Sequence, residues 1–278
     1  MSVKIIVDST ADMIPAVEQR VGIVPLTVHF GEKEYVSGVD LDNQKFYELL
    51  ASGDTLPTTS QPTPFAFEQA FRQAVEQGHE VVCLTCAGTL SGTNQSANIA
   101  AEEFEGKVFV VDSKTIALSL GLLAEYALTL ADRGMGAKEI VRELMVKREK
   151  VRLLALVDTL EYLKKGGRIS PTVAFAGGLL NIKPLITIDG GEIKVIGKAR
   201  GNKQGNALLN QQIEAMGGID PEMPALLGYT GTEDTLLKKY REESSALWSD
   251  QVSAAQVGSV VGTHAGPGAV AAAFFVAE

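Results

Sequence analysis

The strongest constraint on this chain is an alternation of two apolar patterns. Short continuous apolar runs at residues 4–7, 23–29, 81–85, 108–111 and 153–157 read as buried strands. Between them Phe67, Ala70, Phe71 and Ala74, and later Ile140, Val141, Leu144 and Met145, fall at helical spacing. Strands joined by such helices imply a mostly parallel sheet covered on both faces. A hairpin is expected through Gly31 and Glu32.

The pattern changes near residue 155. Asp158 and Glu161 are spaced for a capping box, opening a helix that runs through Leu163 and stops at Gly166 and Gly167. Apolar runs at 185–188 and 193–196 flank Asp189-Gly190-Gly191, a hairpin signal. Residues 224–229 and 251–261 read as strands, with a helix over 232–248 between them. A chain of 278 residues is near the size at which one core divides. The fold class is therefore read as α/β with two domains: a parallel-sheet α/β domain over residues 1–155 and an α+β domain over 156–278.

Composition removes several classes of function. Lys and Arg number 25 against 34 Asp and Glu, a net charge of −9. That sign argues against a nucleic-acid partner, which rewards basic surfaces, and against stable docking on anionic membranes. No apolar run approaches the 18 or so residues that a membrane span needs, and the first residues enter a strand pattern instead of a secretory leader. A cytoplasmic protein without stable membrane insertion is the expectation. Cys83 and Cys86 form a C-x-x-C, but Cys83 sits inside a strand pattern, not at a helix start where its thiol would be activated. No second Cys or His cluster completes a metal site, so no metal and no cofactor are expected.

Four polar clusters and one Arg punctuate the apolar pattern. Asp8-Ser9-Thr10-Ala11-Asp12 directly follows the first strand, where α/β sheets bind ligands and where helices are capped; spacing leaves both readings open. Thr58-Thr59-Ser60-Gln61-Pro62-Thr63-Pro64 combines a helix start at Thr63-Pro64 with a density of donors at Thr59, Ser60 and Gln61 that a cap does not need. Ser91-Gly92-Thr93 precedes a helix placed at 97–104, and free N–H groups there suit an anion, with Ser91 as ligand or as N-cap. His264 lies in the Gly-rich stretch Gly262-Thr263-His264-Ala265-Gly266-Pro267-Gly268, read as a loop. Arg168 follows two glycines, which allow close backbone approach, and its guanidinium suits a carboxylate or phosphate. Gly88-Thr89-Leu90-Ser91-Gly92 places its serine one position late for a nucleophile elbow, and no phosphate-binding P-loop is present.

These clusters together resemble the DegV family of bacterial fatty-acid-binding proteins, over nearly the whole chain. The resemblance rests on Val7-Asp8-Ser9-Thr10-Ala11-Asp12, Thr59-Ser60-Gln61-Pro62, Leu90-Ser91-Gly92-Thr93 and Val111-Asp112-Ser113-Lys114. It continues in residues 158–170, Asn181-Ile182-Lys183-Pro184 and residues 262–268. Two departures are Asn94, where the family commonly carries an aromatic residue, and Cys86-Ala87-Gly88-Thr89, where a Ser-rich loop is usual. The resemblance implies a lipid held between the two domains, its carboxylate bound by Thr59 and Ser91 with Ser60 and Gly92 beside them. It also implies His264 near the carboxylate and Arg168 at the mouth of the site.

The implied role is a carrier with no catalytic residue, which presents a long-chain fatty acid to a fatty-acid kinase for acyl-phosphate formation. A Ser91/His264 hydrolase or acyl transferase is the alternative. His264 is expected to titrate near its ordinary pKa of ~6.5 and so to supply charge or a donor. Phe65, Phe71, Leu118, Leu122, Phe175 and Ile182 are possible tunnel residues or plain core. The basic stretch Lys194, Lys198, Arg200 and Lys203 is read as a kinase-facing surface, with Arg200 and Lys203 as its test positions.

Overall fold

The structure, a computed structural model, describes residues 2–53, 56–170, 181–249 and 251–277. The first half opens with β1 (Val3–Asp8), α1 (Pro15–Glu18) and β2 (Gly22–Val24), followed by the hairpin β3 (Thr27–Phe30) and β4 (Lys33–Val36). Then come α2 (Asn43–Ser52), β5 (Thr58–Ser60), α3 (Pro64–Glu76), β6 (Glu80–Thr85), α4 (Thr93–Ala101) and β7 (Val108–Asp112). Two helices follow, α5 (Ala117–Asp132) and α6 (Ala137–Lys147). The second half holds β8 (Val151–Leu156), α7 (Glu161–Lys165), β9 (Ile182–Asp189), β10 (Glu192–Arg200), α8 (Gly201–Ala215) and β11 (Leu226–Tyr229). It ends with α9 (Thr235–Glu243), β12 (Ser253–Gln256), α10 (Ser259–Ala265) and β13 (Val270–Phe275).

Among the described residues these strands form three sheets. A parallel sheet runs β2-β1-β6-β7, and a mixed sheet runs β10-β9-β8-β13-β11-β12. A small antiparallel sheet runs β4-β3-β5. The α/β class, with a parallel first sheet and a mixed second one, is as the alternation implied. Residue 155 falls inside β8, which pairs with β9 and β13 in the mixed sheet.

Helix α5 lies between the two large sheets and packs on β1 and β6 on one side and on β8, β11 and β13 on the other. Eleven of its sixteen residues are buried, so it is apolar nearly all round, as a helix covered on both sides must be. Gly121 makes this possible: a Cβ there would stand 2.1 Å from the Asp12 carbonyl oxygen.

Five local readings are corrected. The run at 23–29 is two strands in two sheets, because Pro25 has no N–H to give a ladder. The helix after Asp158 begins later, with Leu160 as N-cap and no side-chain cap, since Asp158 is drawn into an ion pair with Lys183 on β9. The helix of 232–248 is confined to α9; the chain turns at Ser244, and the Trp248 indole N–H donates to Tyr240 Oη at 2.8 Å. The strand of 251–261 stops at Gln256, and the stretch holding His264 is helix α10, whose Val260 and Gly262 bury against α2.

Candidate functional site

In the parallel sheet β1 sits between β2 and β6, so the chain leaves β1 toward one side and β6 toward the other. The carboxyl ends of such a strand pair form a crevice, the usual ligand position in open α/β sheets. Asp8 lies at its floor, fully buried. Its Oδ1 accepts from Thr10 N at 2.9 Å and Thr10 Oγ1 at 2.5 Å, and its Oδ2 accepts from Cys86 N at 2.7 Å. One carboxylate thereby fixes the loops after both strands, although burial pushes its pKa up against those hydrogen bonds.

A cavity opens above this floor. It is a narrow slot of about 100 Å³. Thr10, Thr59, Ser91, Arg168 and His264 line it together with Cys86. The remaining wall is almost wholly aliphatic. Alternate residues of the mixed sheet supply much of it: Leu153 and Ala155 from β8, Ile186 and Ile188 from β9. Leu118 of α5 and Val260 and Val261 of α10 complete it.

Each predicted site residue has a defined place. Thr59 is the central residue of β5, opposite Val28, and faces the cavity. Ser60 points the other way, as strand alternation requires, and contacts His29 Nε2 at 2.7 Å; it does not line the cavity. Ser91 precedes α4, whose N-cap is Gly92, and its hydroxyl contacts Thr93 Oγ1 at 2.8 Å. Gly92 serves by its smallness: a Cβ there would meet Gln61 Oε1 at 2.1 Å. Arg168 donates from Nη1 to Gly166 O at 2.6 Å and from Nε to Leu90 O at 3.1 Å, clamping the Ser91 loop. Arg200 and Lys203 are exposed where β10 passes into α8. Six strand residues lie between Arg200 and Ile193 of the cavity wall, seven steps or roughly 23 Å along β10.

His264 Nε2 lies 3.0 Å from Thr59 Oγ1, while Nδ1 is buried without a partner among the described residues. A buried N–H without an acceptor costs more than a bare lone pair, so the network assigns the proton to Nε2. His264 then donates to Thr59, which leaves the Thr59 hydroxyl proton free to donate into the cavity. The close fit on the Nδ1 side depends on Gly166, where a Cβ would stand 2.2 Å from that nitrogen. Burial, then the Arg168 guanidinium, lowers the His264 pKa to about 4. The expectation of an imidazole titrating near 6.5 is therefore corrected: His264 is neutral at pH 7.

The Ser91/His264 hydrolase pairing is not formed. Ser91 bonds Thr93, His264 bonds Thr59, and no carboxylate orients Nδ1 among the described residues. Both cysteines are free and buried, and burial followed by the Asp8 charge pushes both thiols up. Of the possible tunnel residues only Leu118 lines the cavity. Phe71 and Leu122 are core, Phe65 is 65% exposed, Ile182 is half-buried outside the cavity wall, and Phe175 lies outside the described residues. Cys86 was missed as a cavity-lining residue, while Thr10 belongs to the cluster left open between ligand site and cap, and Gly166 to the glycine pair read as allowing close approach. The only available signal for Thr10 was its place after a strand end.

Comparison with known proteins gives this arrangement its relatives. The profile of a family described as "Uncharacterised protein, DegV family" matches residues 2–277. A DegV domain-containing protein of Deinococcus radiodurans is 39% identical over 279 residues, 98% of each chain. A DegV family protein of Thermus thermophilus, described by its fatty acid binding, superposes with a TM-score of 0.89 at 31% identity, over 99% of this chain and 100% of that one. The Streptococcus pneumoniae fatty acid kinase B3 protein, loaded with linoleic acid, shares the fold with a TM-score of 0.85 at 24% identity, over 100% of each chain.

Proposed function

This chain belongs to the DegV family, and we propose that it binds one long-chain fatty acid, carboxylate at Thr59 and Ser91, tail in the aliphatic slot against the mixed sheet. The observation that carries this reading is the cavity itself. Thr59, Ser91, Arg168 and His264 line it, with Thr10 and Thr230 as further polar side chains, and the rest of its wall is almost only aliphatic carbon. The fatty-acid binding described for the Thermus thermophilus relative supports it.

The energetics require both ends. Burying about 14 methylenes of a 16-carbon tail contributes on the order of 11 kcal/mol at ~0.8 kcal/mol each. Association costs of ~4–15 kcal/mol offset much of that, so hydrogen bonds to the carboxylate decide whether binding is tight. Thr59 and Ser91 donate as neutral hydroxyls, and neutral His264 holds Thr59 in the donating orientation. The carboxylate then keeps its charge, with Arg168 at the mouth as the nearby cation. A carboxylate that stays ionised keeps a nucleophilic oxygen for a phosphoryl donor. The role that fits is a carrier, without cofactor, presenting the fatty acid to a fatty-acid kinase; Arg200 and Lys203 are the proposed docking charges.

Native mass spectrometry of the protein purified from its host tests the binding. The expected result is a mass increment equal to one fatty acid, lost in a Thr59→Ala/Ser91→Ala double variant that keeps its far-UV circular dichroism. Two hydrogen bonds to a charged group, at ~1.5–3 kcal/mol each, correspond to a loss of affinity of at least about 100-fold. Wild-type protein that carries no lipid and takes up none from oleate or palmitate overturns the reading.

A further inference from the structure

The second carboxylate of the Asp8–Asp12 cluster has no part in the cavity wall. Asp12 is buried, and its Oδ1 accepts from Gly258 N at 2.7 Å. Gly258 is the N-cap of α10, the helix that ends with His264. The cluster does hold a helix cap, but the helix is 246 residues away; α1, next in sequence, has Ile14 as N-cap and no side-chain cap. Asp12 Oδ2 is buried without a partner among the described residues.

Helix α10 has seven residues, too few to be stable alone. Its position is therefore set by what holds its ends. Four residues from the first third of the chain hold its start. Asn43 Nδ2 donates to Gln256 O at 3.4 Å, Tyr47 Oη donates to Val257 O at 2.9 Å, Asp12 accepts from Gly258, and Ser37 Oγ meets Ser259 Oγ at 2.9 Å. Asp12 is the only one of the four with a carboxyl group. The approach is close, since a Cβ on Gly258 would stand 3.1 Å from Asp12 Oδ1. Behind Asp12, Gly121 of α5 leaves room for its carbonyl.

We propose that Asp12 is a positioning residue for the ligand site: by accepting from Gly258 it sets the origin of α10, and with it the place where His264 meets Thr59. From Gly258 to His264 the helix rises about 9 Å. A tilt of about 10° at its start moves the imidazole by about 1.5 Å, enough to break a 3.0 Å contact with Thr59. Losing Asp12 also leaves the Gly258 N–H unpaired in the interior, which favours such a tilt. Burial pushes the carboxyl up to about 7, opposed by the Gly258 N–H and aided by the Glu18 and Asp8 charges.

The proposal rests on Thr59 and His264 forming the polar end of the lipid site, and its test separates the two ideas. The ¹⁵N and ¹H signals of the His264 imidazole are recorded at pH 8 in wild-type protein, D12A and D12N, and oleate affinity is measured on the same samples. Asn keeps an acceptor at Oδ1, so D12N is expected to hold the His264 signals and an affinity within about threefold of wild type. D12A is expected to shift the His264 signals and weaken oleate binding at least tenfold with the far-UV spectrum unchanged. If D12A does not fold, Asp12→Ser, whose acceptor is too short to reach Gly258, is read in its place. Unmoved His264 signals in D12A or Asp12→Ser, or signals in D12N that move as far as theirs, overturn the proposal. Wild-type protein that binds no oleate removes the lipid reading, while the His264 signals still decide the role of Asp12.

Discussion

In water His264 would exchange its proton near pH 6.5; on α10, packed against the end of α7, it stays neutral down to about pH 4, because burial and then Arg168 penalise the cation. The sign of the consequence follows. The folded pKa is depressed below the unfolded one, so the stabilisation from keeping this His neutral is complete above 6.5 and is lost as the pH falls toward 4. H264Q is therefore expected to lose less stability than wild type between pH 7 and 4.5, the difference being roughly 1–3 kcal/mol. Urea unfolding at the two pH values measures it, and equal losses in both proteins would contradict the depressed pKa. His264, Thr59 and Ser91, which line the cavity, stood out as candidates from short motifs. The charge state of His264 was not, since it depends on Gly166 and Arg168 closing around it.

Two helices show how packing overrides local preference. Gly to Ala inside a helix ordinarily stabilises by about 1 kcal/mol. In α5 the sign should reverse, because a Cβ on Gly121 meets the backbone oxygen of Asp12 at 2.1 Å and backbone has little room to yield. G121A is expected to destabilise by roughly 1–3 kcal/mol, read as a fall in the denaturation midpoint; a stabilised variant would mean that α5 does not press on the Asp12 loop. Helix α10 is the opposite case. Its glycine-rich sequence reads as a loop, yet Gly262 is needed inside a helix, where a Cβ would strike Phe46 and Tyr47 at 2.7 Å. Periodicity reported α3 and α6 well because each has one apolar face. It missed α10, whose helical state comes from partners far away in sequence.

Across the whole molecule, the net charge of −9 makes a local cationic surface stand out. Lys194 is paired with Asp189, whereas Arg200 and Lys203 are exposed at the far end of β10. If this end docks a kinase, charge reversal at Arg200 and Lys203 should slow phosphorylation of the bound fatty acid on the order of tenfold. Lipid affinity should be unchanged. A kinase assay alongside an oleate titration checks this, and undiminished phosphorylation would remove these residues from the docking surface. What the sequence determined by itself was the class of the fold and the chemistry available to the site. The alternation of apolar periods specifies parallel strands with helical crossovers, and Thr59, Ser91, Arg168 and His264 announce themselves as polar interruptions of that pattern. Only the tertiary structure decided that these four share one cavity, that its wall is drawn from alternate residues of a second sheet, and that Asp12 caps a helix 246 residues away. Periodicity encodes which face of an element is buried, but not which distant face it is buried against.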